Sequence, residues 1–184
     1  MNGVKEAELT TEKKGTENQN ETPMVGIVMG SDSDLDIMKE AANLLNKFQV
    51  PYEMTVASAH RSPQRAADFA VSASKRGIKV IIAGAGHAAH LAGVLAAHTC
   101  LPVIGVPIDS SCLQGLDALL ATVQMPPGIP VATMAIGKSG ARNAGILAAQ
   151  IIATSDPGLG EKLEKFKQEM AEQVLKKAEK VENL

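Results

Sequence analysis

Five short apolar runs, each followed by a longer stretch with helical spacing, constrain this chain more than any other feature. They are "MVGIVMG" (24–30), "YEMTVAS" (52–58), "KVIIAGA" (79–85), "PVIGVPI" (102–108) and "PVATMAI" (130–136). Most are too continuously apolar to keep one wet face, as strands of a parallel sheet covered on both sides are. Between the first two, Leu35, Met38, Ala41, Ala42, Leu45 and Phe48 recur at the spacing of one helical face. Further helices are predicted over Pro63–Lys75, Ala88–His98, Leu113–Val123 and Ala141–Thr154. Strand then helix, five times over, predicts a doubly wound α/β fold. This is a three-layer sandwich around a five-stranded parallel sheet, flavodoxin-like, with an added C-terminal helix over 159–184. In that last helix Leu163, Phe166, Met170, Val174 and Leu175 form a stripe expected to pack on the body or on a neighbouring subunit. Residues 1–22 are polar and mixed in charge and read as a flexible tail, leaving 23–184 as one α/β domain.

Composition narrows the function classes. With 18 basic and 20 acidic residues the formal net charge is -2, so no overall positive field recommends nucleic acid or an anionic membrane as partner. No run reaches the roughly 20 apolar residues of a membrane span. No secretory leader is read at the start, and Cys100 and Cys112 lack metal-type or redox-type spacing, so a cytoplasmic protein with free thiols is expected. Tyr52, Phe48, Phe69 and Phe166 are the aromatics, and the abundant Ala and Gly predict a tight aliphatic core and an oligomer.

In open α/β sheets ligands sit beyond the carboxyl ends of the strands, which makes each strand-to-helix loop a candidate. "MGSDSDLD" supplies Gly30 for a turn, then Ser31, Asp32, Ser33 and Asp34, groups that cap a helix or bind a hydroxylated or phosphorylated ligand. "VASAHRSP" joins His60, able to give and take a proton near neutrality, to Arg61, able to hold an anion with two parallel bonds. An ordinary polar turn fits as well, with Ser62 capping a helix that starts at Pro63. In the third loop, Gly84-Ala85-Gly86-His87-Ala88-Ala89 matches a dinucleotide fingerprint, with Asp109 after the next strand as a ribose-binding acid. A dinucleotide-binding oxidoreductase is therefore one rival, and a non-catalytic nucleotide-binding module another. His87 and His90 have no third metal ligand at useful spacing, and no metal or cofactor is expected. His98 reads as a surface residue near a helix end. "IGKSGARNAG" is an incomplete phosphate loop, since Ala132 stands where its first glycine would fall. Lys138 and Arg142 remain candidates for an anion site or a subunit contact. "VQMPPGIP" is a stiff connector able to cover a pocket.

Taken in order, "GIVMGSDSD", "SAHRSP", "IIAGAGHAAHLAG", "PVIGVP" and "GLDALLATVQMPPGIPVATMAIGKSGARNAGILAAQI" resemble the PurE family of purine biosynthesis, in its bacterial N5-carboxyaminoimidazole ribonucleotide mutase branch. The likeness spans about residues 24–156 and disfavours the dinucleotide reading. It implies a small-molecule aminoimidazole ribonucleotide substrate, carbon dioxide as intermediate, no cofactor, and a homo-octamer. It also implies His60 as the proton shuttle, Ser31 and Arg61 toward the phosphate, and Asp34 toward the ribose. Ser58, Gly84, Gly86, His90 and Leu91 would surround the imidazole and carbon dioxide. The family usually has Gly where this chain has His87 and Pro where it has Ala92. Direct carboxylation of aminoimidazole ribonucleotide is the alternative activity.

Overall fold

The computed structural model describes residues 22–183, so the expected tail lies outside the described residues apart from Thr22. The elements are β1 (Val25–Met29), α1 (Leu35–Phe48), β2 (Tyr52–Val56), α2 (Pro63–Ala73), β3 (Val80–Gly86), α3 (Leu91–Ala97), β4 (Val103–Ile108), α4 (Leu116–Val123), β5 (Ala132–Thr133), α5 (Gly137–Ala153) and α6 (Pro157–Glu182). All five strands are parallel, in the order β2-β1-β3-β4-β5. This is the doubly wound, flavodoxin-like order expected from the alternating pattern.

Side-chain alternation along the strands divides the core into two layers. Val25, Ile27 and Met29 of β1 join Val80, Ile82, Ile104, Val106 and Ile108 on the face covered by α1, α5 and the start of α6. Val28, Ile81, Ala83 and Val103 face α2 and α3, where Phe69, Leu91 and Leu95 are buried. The small residues set the layer spacing. Ala141, Ala144, Ala148 and Ala149 of α5 are buried against α1. At Gly145 the helices are so close that an added Cβ would stand 2.7 Å from the carbonyl oxygen of Ala41.

Boundaries depart from expectation in five places. The fifth strand shrinks to two paired residues: Pro130 has no N–H to give at its start, and after Met134 N–H donates to Gly105 O at 2.8 Å the chain turns into the next helix at Gly137. The third helix starts at Leu91 rather than Ala88, since β3 runs on through Gly86, and the fourth starts at Leu116 rather than Leu113. The fifth helix starts earlier than expected, at Gly137. The last helix begins at Pro157, capped by the Asp156 carboxylate, which accepts from Leu159 N–H at 3.1 Å. Its stripe is only half covered. Leu159 and Leu163 are buried and Phe166 meets Phe48 edge-on at 5.3 Å, whereas Met170, Val174 and Leu175 are exposed.

Candidate active site

Strands β1 and β3 are neighbours, yet β1 is followed in the chain by β2 on its other side. The loops after β1 and β3 therefore diverge at their carboxyl ends, and the crevice between them is where such sheets hold ligands. A cavity of about 600 Å³ opens there.

The first wall is the turn after β1. Gly30 N–H prolongs the ladder by donating to Gly84 O at 3.1 Å. The chain then bends into the short 3-10 turn Asp32–Asp34, closed by a reciprocal cap. Ser33 N–H donates to Ser31 Oγ at 3.4 Å and Ser31 N–H donates to Asp34 Oδ2 at 3.1 Å. Capping and cavity lining are thus done by the same residues. Asp34 is only 5% exposed, and this burial raises its carboxyl above the usual aspartate value. Hydrogen bonds from Ser31 and Ser33 and the positive charges of His87 and Arg61 pull the other way and are outweighed.

The second wall carries "SAHRS". Ser58 N–H donates to Ser62 Oγ at 3.0 Å, Ser62 Oγ–H donates to Ser58 O at 3.2 Å, and Arg61 N–H donates to Ser58 Oγ at 3.1 Å. Ser62 thus closes a loop on Ser58, and its side chain makes no cap to α2, contrary to expectation; Pro63 does occupy the first helical turn. Folded back in this way, the loop presents His60 and Arg61 as exposed side chains at the cavity. Arg61 Nη2 reaches Gly30 O at 3.4 Å, tying the two walls together.

The third wall follows β3. Because the strand continues through Gly86, Gly84 and Gly86 of the dinucleotide fingerprint lie inside the sheet ladder and form no phosphate-binding turn. Gly84 does not line the cavity: it is buried, and the space its missing side chain leaves is filled by Met38. Gly86 does line it, with Ser110 seated against its Cα. His90 Nδ1 stands 2.9 Å from His60 Nε2, a distance at which one ring must donate and the other accept. Leu91 is buried, closing the cavity floor onto the core.

Ser31, Asp34, Ser58, His60, Arg61, Gly86, His90 and Leu91 therefore share one cavity, drawn from three loops. Ser110 was missed, although it lies just past the end of β4, where the rule applied to the other strands would have found it. Lys138 and Arg142 do not line the cavity; Arg142 points to Glu40 at 3.9 Å on α1. Asp109 is also outside it. His98 ends α3 as an exposed residue. Among the described residues no group of three or more His, Cys, Asp or Glu side chains is placed to hold a metal ion, and no helix is long and apolar enough to cross a membrane.

Comparison with known proteins bears on this arrangement directly. The family model described as AIR carboxylase matches residues 24–173. The chain belongs to the AIR carboxylase family. Within that family it is 55% identical over 166 residues to the N5-carboxyaminoimidazole ribonucleotide mutase of Pyrococcus horikoshii, covering 90% of this chain and 93% of that one. It is 57% identical over 164 residues to the phosphoribosylaminoimidazole carboxylase of Schizosaccharomyces pombe, covering 89% of this chain but only 29% of the yeast protein. Among solved structures the AIR carboxylase fold is shared with Treponema denticola PurE, at a TM-score of 0.77 and 26% identity over 86% of this chain and 98% of that one.

Proposed function

We propose that this protein is an N5-carboxyaminoimidazole ribonucleotide mutase of purine biosynthesis, an isomerase that moves a carboxylate from the exocyclic nitrogen of its substrate to a neighbouring ring carbon. The observation that carries the reading is the meeting, in one cavity, of His60 with Ser31, Asp34 and Arg61. The near full-length match to the mutase, against 29% of the yeast carboxylase, favours the mutase over direct carboxylation.

In this reading Arg61 and Ser31 bind the phosphate and Asp34 accepts hydrogen bonds from the ribose hydroxyls. The carbon–nitrogen bond of the carbamate breaks, releasing carbon dioxide, and the nitrogen takes a proton from His60. The electron-rich ring carbon then attacks the trapped carbon dioxide. His60, now neutral, removes the proton from that carbon and so returns to its starting state. One imidazole serves as acid and then base, and orientation does the rest. Ser58, Gly86, His90 and Leu91 form the surroundings of the ring and of the trapped gas, while Gly84 acts from beneath by admitting Met38.

Turnover of the carbamate substrate, followed by product absorbance with and without added bicarbonate, tests the reading. Product formed only from aminoimidazole ribonucleotide plus carbon dioxide overturns it in favour of a carboxylase. We further infer a cytoplasmic homo-oligomer, an octamer by family resemblance. Leu113, Leu116, Leu120 and Val123 on and before α4 are each about half exposed, an apolar face suited to another copy. A monomer by light scattering contradicts that part.

A further inference from the structure

We propose that His87 is a substrate-binding residue of this chain, offering a ring nitrogen to the ribonucleotide within the shared cavity. The proposal rests on the mutase reading above and adds to it a residue that reading leaves without a role.

His87 lines the cavity and is exposed within it. Its backbone is left-handed, with φ of 54°, a region that glycine enters freely and a histidine enters only at some loss of stability. Among the described residues the other non-glycine positions of this kind are Gln49 and Gln114, neither of which lines the cavity. Strain of this sort persists where the surroundings hold it, and here they do. His87 Nδ1 and Ser110 Oγ are 3.1 Å apart, and Ser110 takes its place because Gly86 has no side chain. The contact engages one ring nitrogen and leaves Nε2 as the ring's other hydrogen-bonding atom.

His60 and His90 are bonded to each other and define the reacting end. His87, held by Ser110, is the third imidazole of the cavity and takes no part in that pair. Its other ring nitrogen therefore remains available to the bound ribonucleotide. A hydrogen-bonding ring at that position suits a polar oxygen of the ribonucleotide, and accounts for a strained histidine where a glycine would sit without strain.

Kinetics and calorimetry on His87→Gly and His87→Asn test this. Glycine relaxes the backbone, so Tm should hold or rise, while KM for the carbamate substrate and Kd for the carboxylated product should rise about three- to tenfold, the worth of one hydrogen bond. Asparagine tolerates the left-handed turn and keeps a polar amide, and should recover part of the loss. Unchanged KM and Kd in His87→Gly overturn the proposal, and so does a fall in kcat with KM intact. If wild-type protein neither binds the product nor converts the carbamate, the mutase reading itself fails, an outcome separate from any difference between variants.

Discussion

His60 Nε2 lies 2.9 Å from His90 Nδ1, with the two rings inclined at 72° and their centroids 4.9 Å apart. Two imidazoles so placed share one hydrogen between facing nitrogens, so the tautomer of each is set by the other. In the proposed reaction, the group that first gives and then takes a proton is thereby supplied with a partner of its own kind, brought from a different loop.

Replacing His60 by Asn should leave folding and product binding intact and reduce kcat by about 10²- to 10⁴-fold, the range for loss of a general acid–base group. Stopped-time assays with calorimetric titration of product check this. Near-normal turnover would remove His60 from the mechanism.

His90→Ala removes the ring that orients His60 without removing the proton carrier. One lost hydrogen bond corresponds to about a three- to tenfold fall in kcat, much smaller than the loss for His60→Asn. The double variant should be hardly worse than His60→Asn alone, since both act through one proton transfer. Additive losses would show that the rings act independently.

Asp34 makes stability depend on pH in an unusual direction. Its folded-state carboxyl is raised above the ordinary 3.8 by burial, so the native state binds more protons than the unfolded state just above that value. Stability from this group is therefore lost as pH rises from 3.8 through the raised native value, and the desolvation of the carboxylate opposes folding at neutral pH. Asp34→Asn keeps an oxygen to accept from Ser31 N–H. Relative to wild type, its Tm should improve between pH 4 and pH 7 while KM rises. A relative Tm that falls over this range would contradict the assignment.

Gly145→Ala sets two effects against each other. Helix propensity favours alanine by about 1 kcal/mol. The new methyl, however, would meet the Ala41 carbonyl oxygen at 2.7 Å and the Ala41 Cα at 3.2 Å, backbone atoms that move only with the whole of α1. Overpacking of this kind costs about 1–3 kcal/mol, so the net effect should be a lowered Tm in thermal denaturation. A variant as stable as wild type would show that the α1–α5 contact yields easily.

Much of the fold was legible because periodicity is a local property. Runs such as "KVIIAGA" and the spacing of Leu35 to Phe48 report which residues must leave water. Those reports held for every strand and for the helices between them, even where ends shifted. The fifth strand was overestimated because apolar character was counted while the missing donor at Pro130 and the early helix start at Gly137 were not. Ser62 was misassigned for a related reason: a serine before a helical proline caps by habit, but here the nearer partner Ser58 takes its hydroxyl. Gly84 and Gly86 looked like one motif, and only their neighbours, Met38 and Ser110, separate a packing glycine from a cavity glycine.

By itself the sequence determined the alternation of strand and helix, the tight aliphatic core and the family, because each follows from residue type and order along the chain. The tertiary structure decided which loops meet. His60 and His90 are 30 residues apart, and Ser31 is as distant from Arg61. They share a cavity only because β3 pairs with β1 on the side away from β2. That choice is made by non-local strand pairing and by the packing of helices on both faces, and no local pattern encodes it.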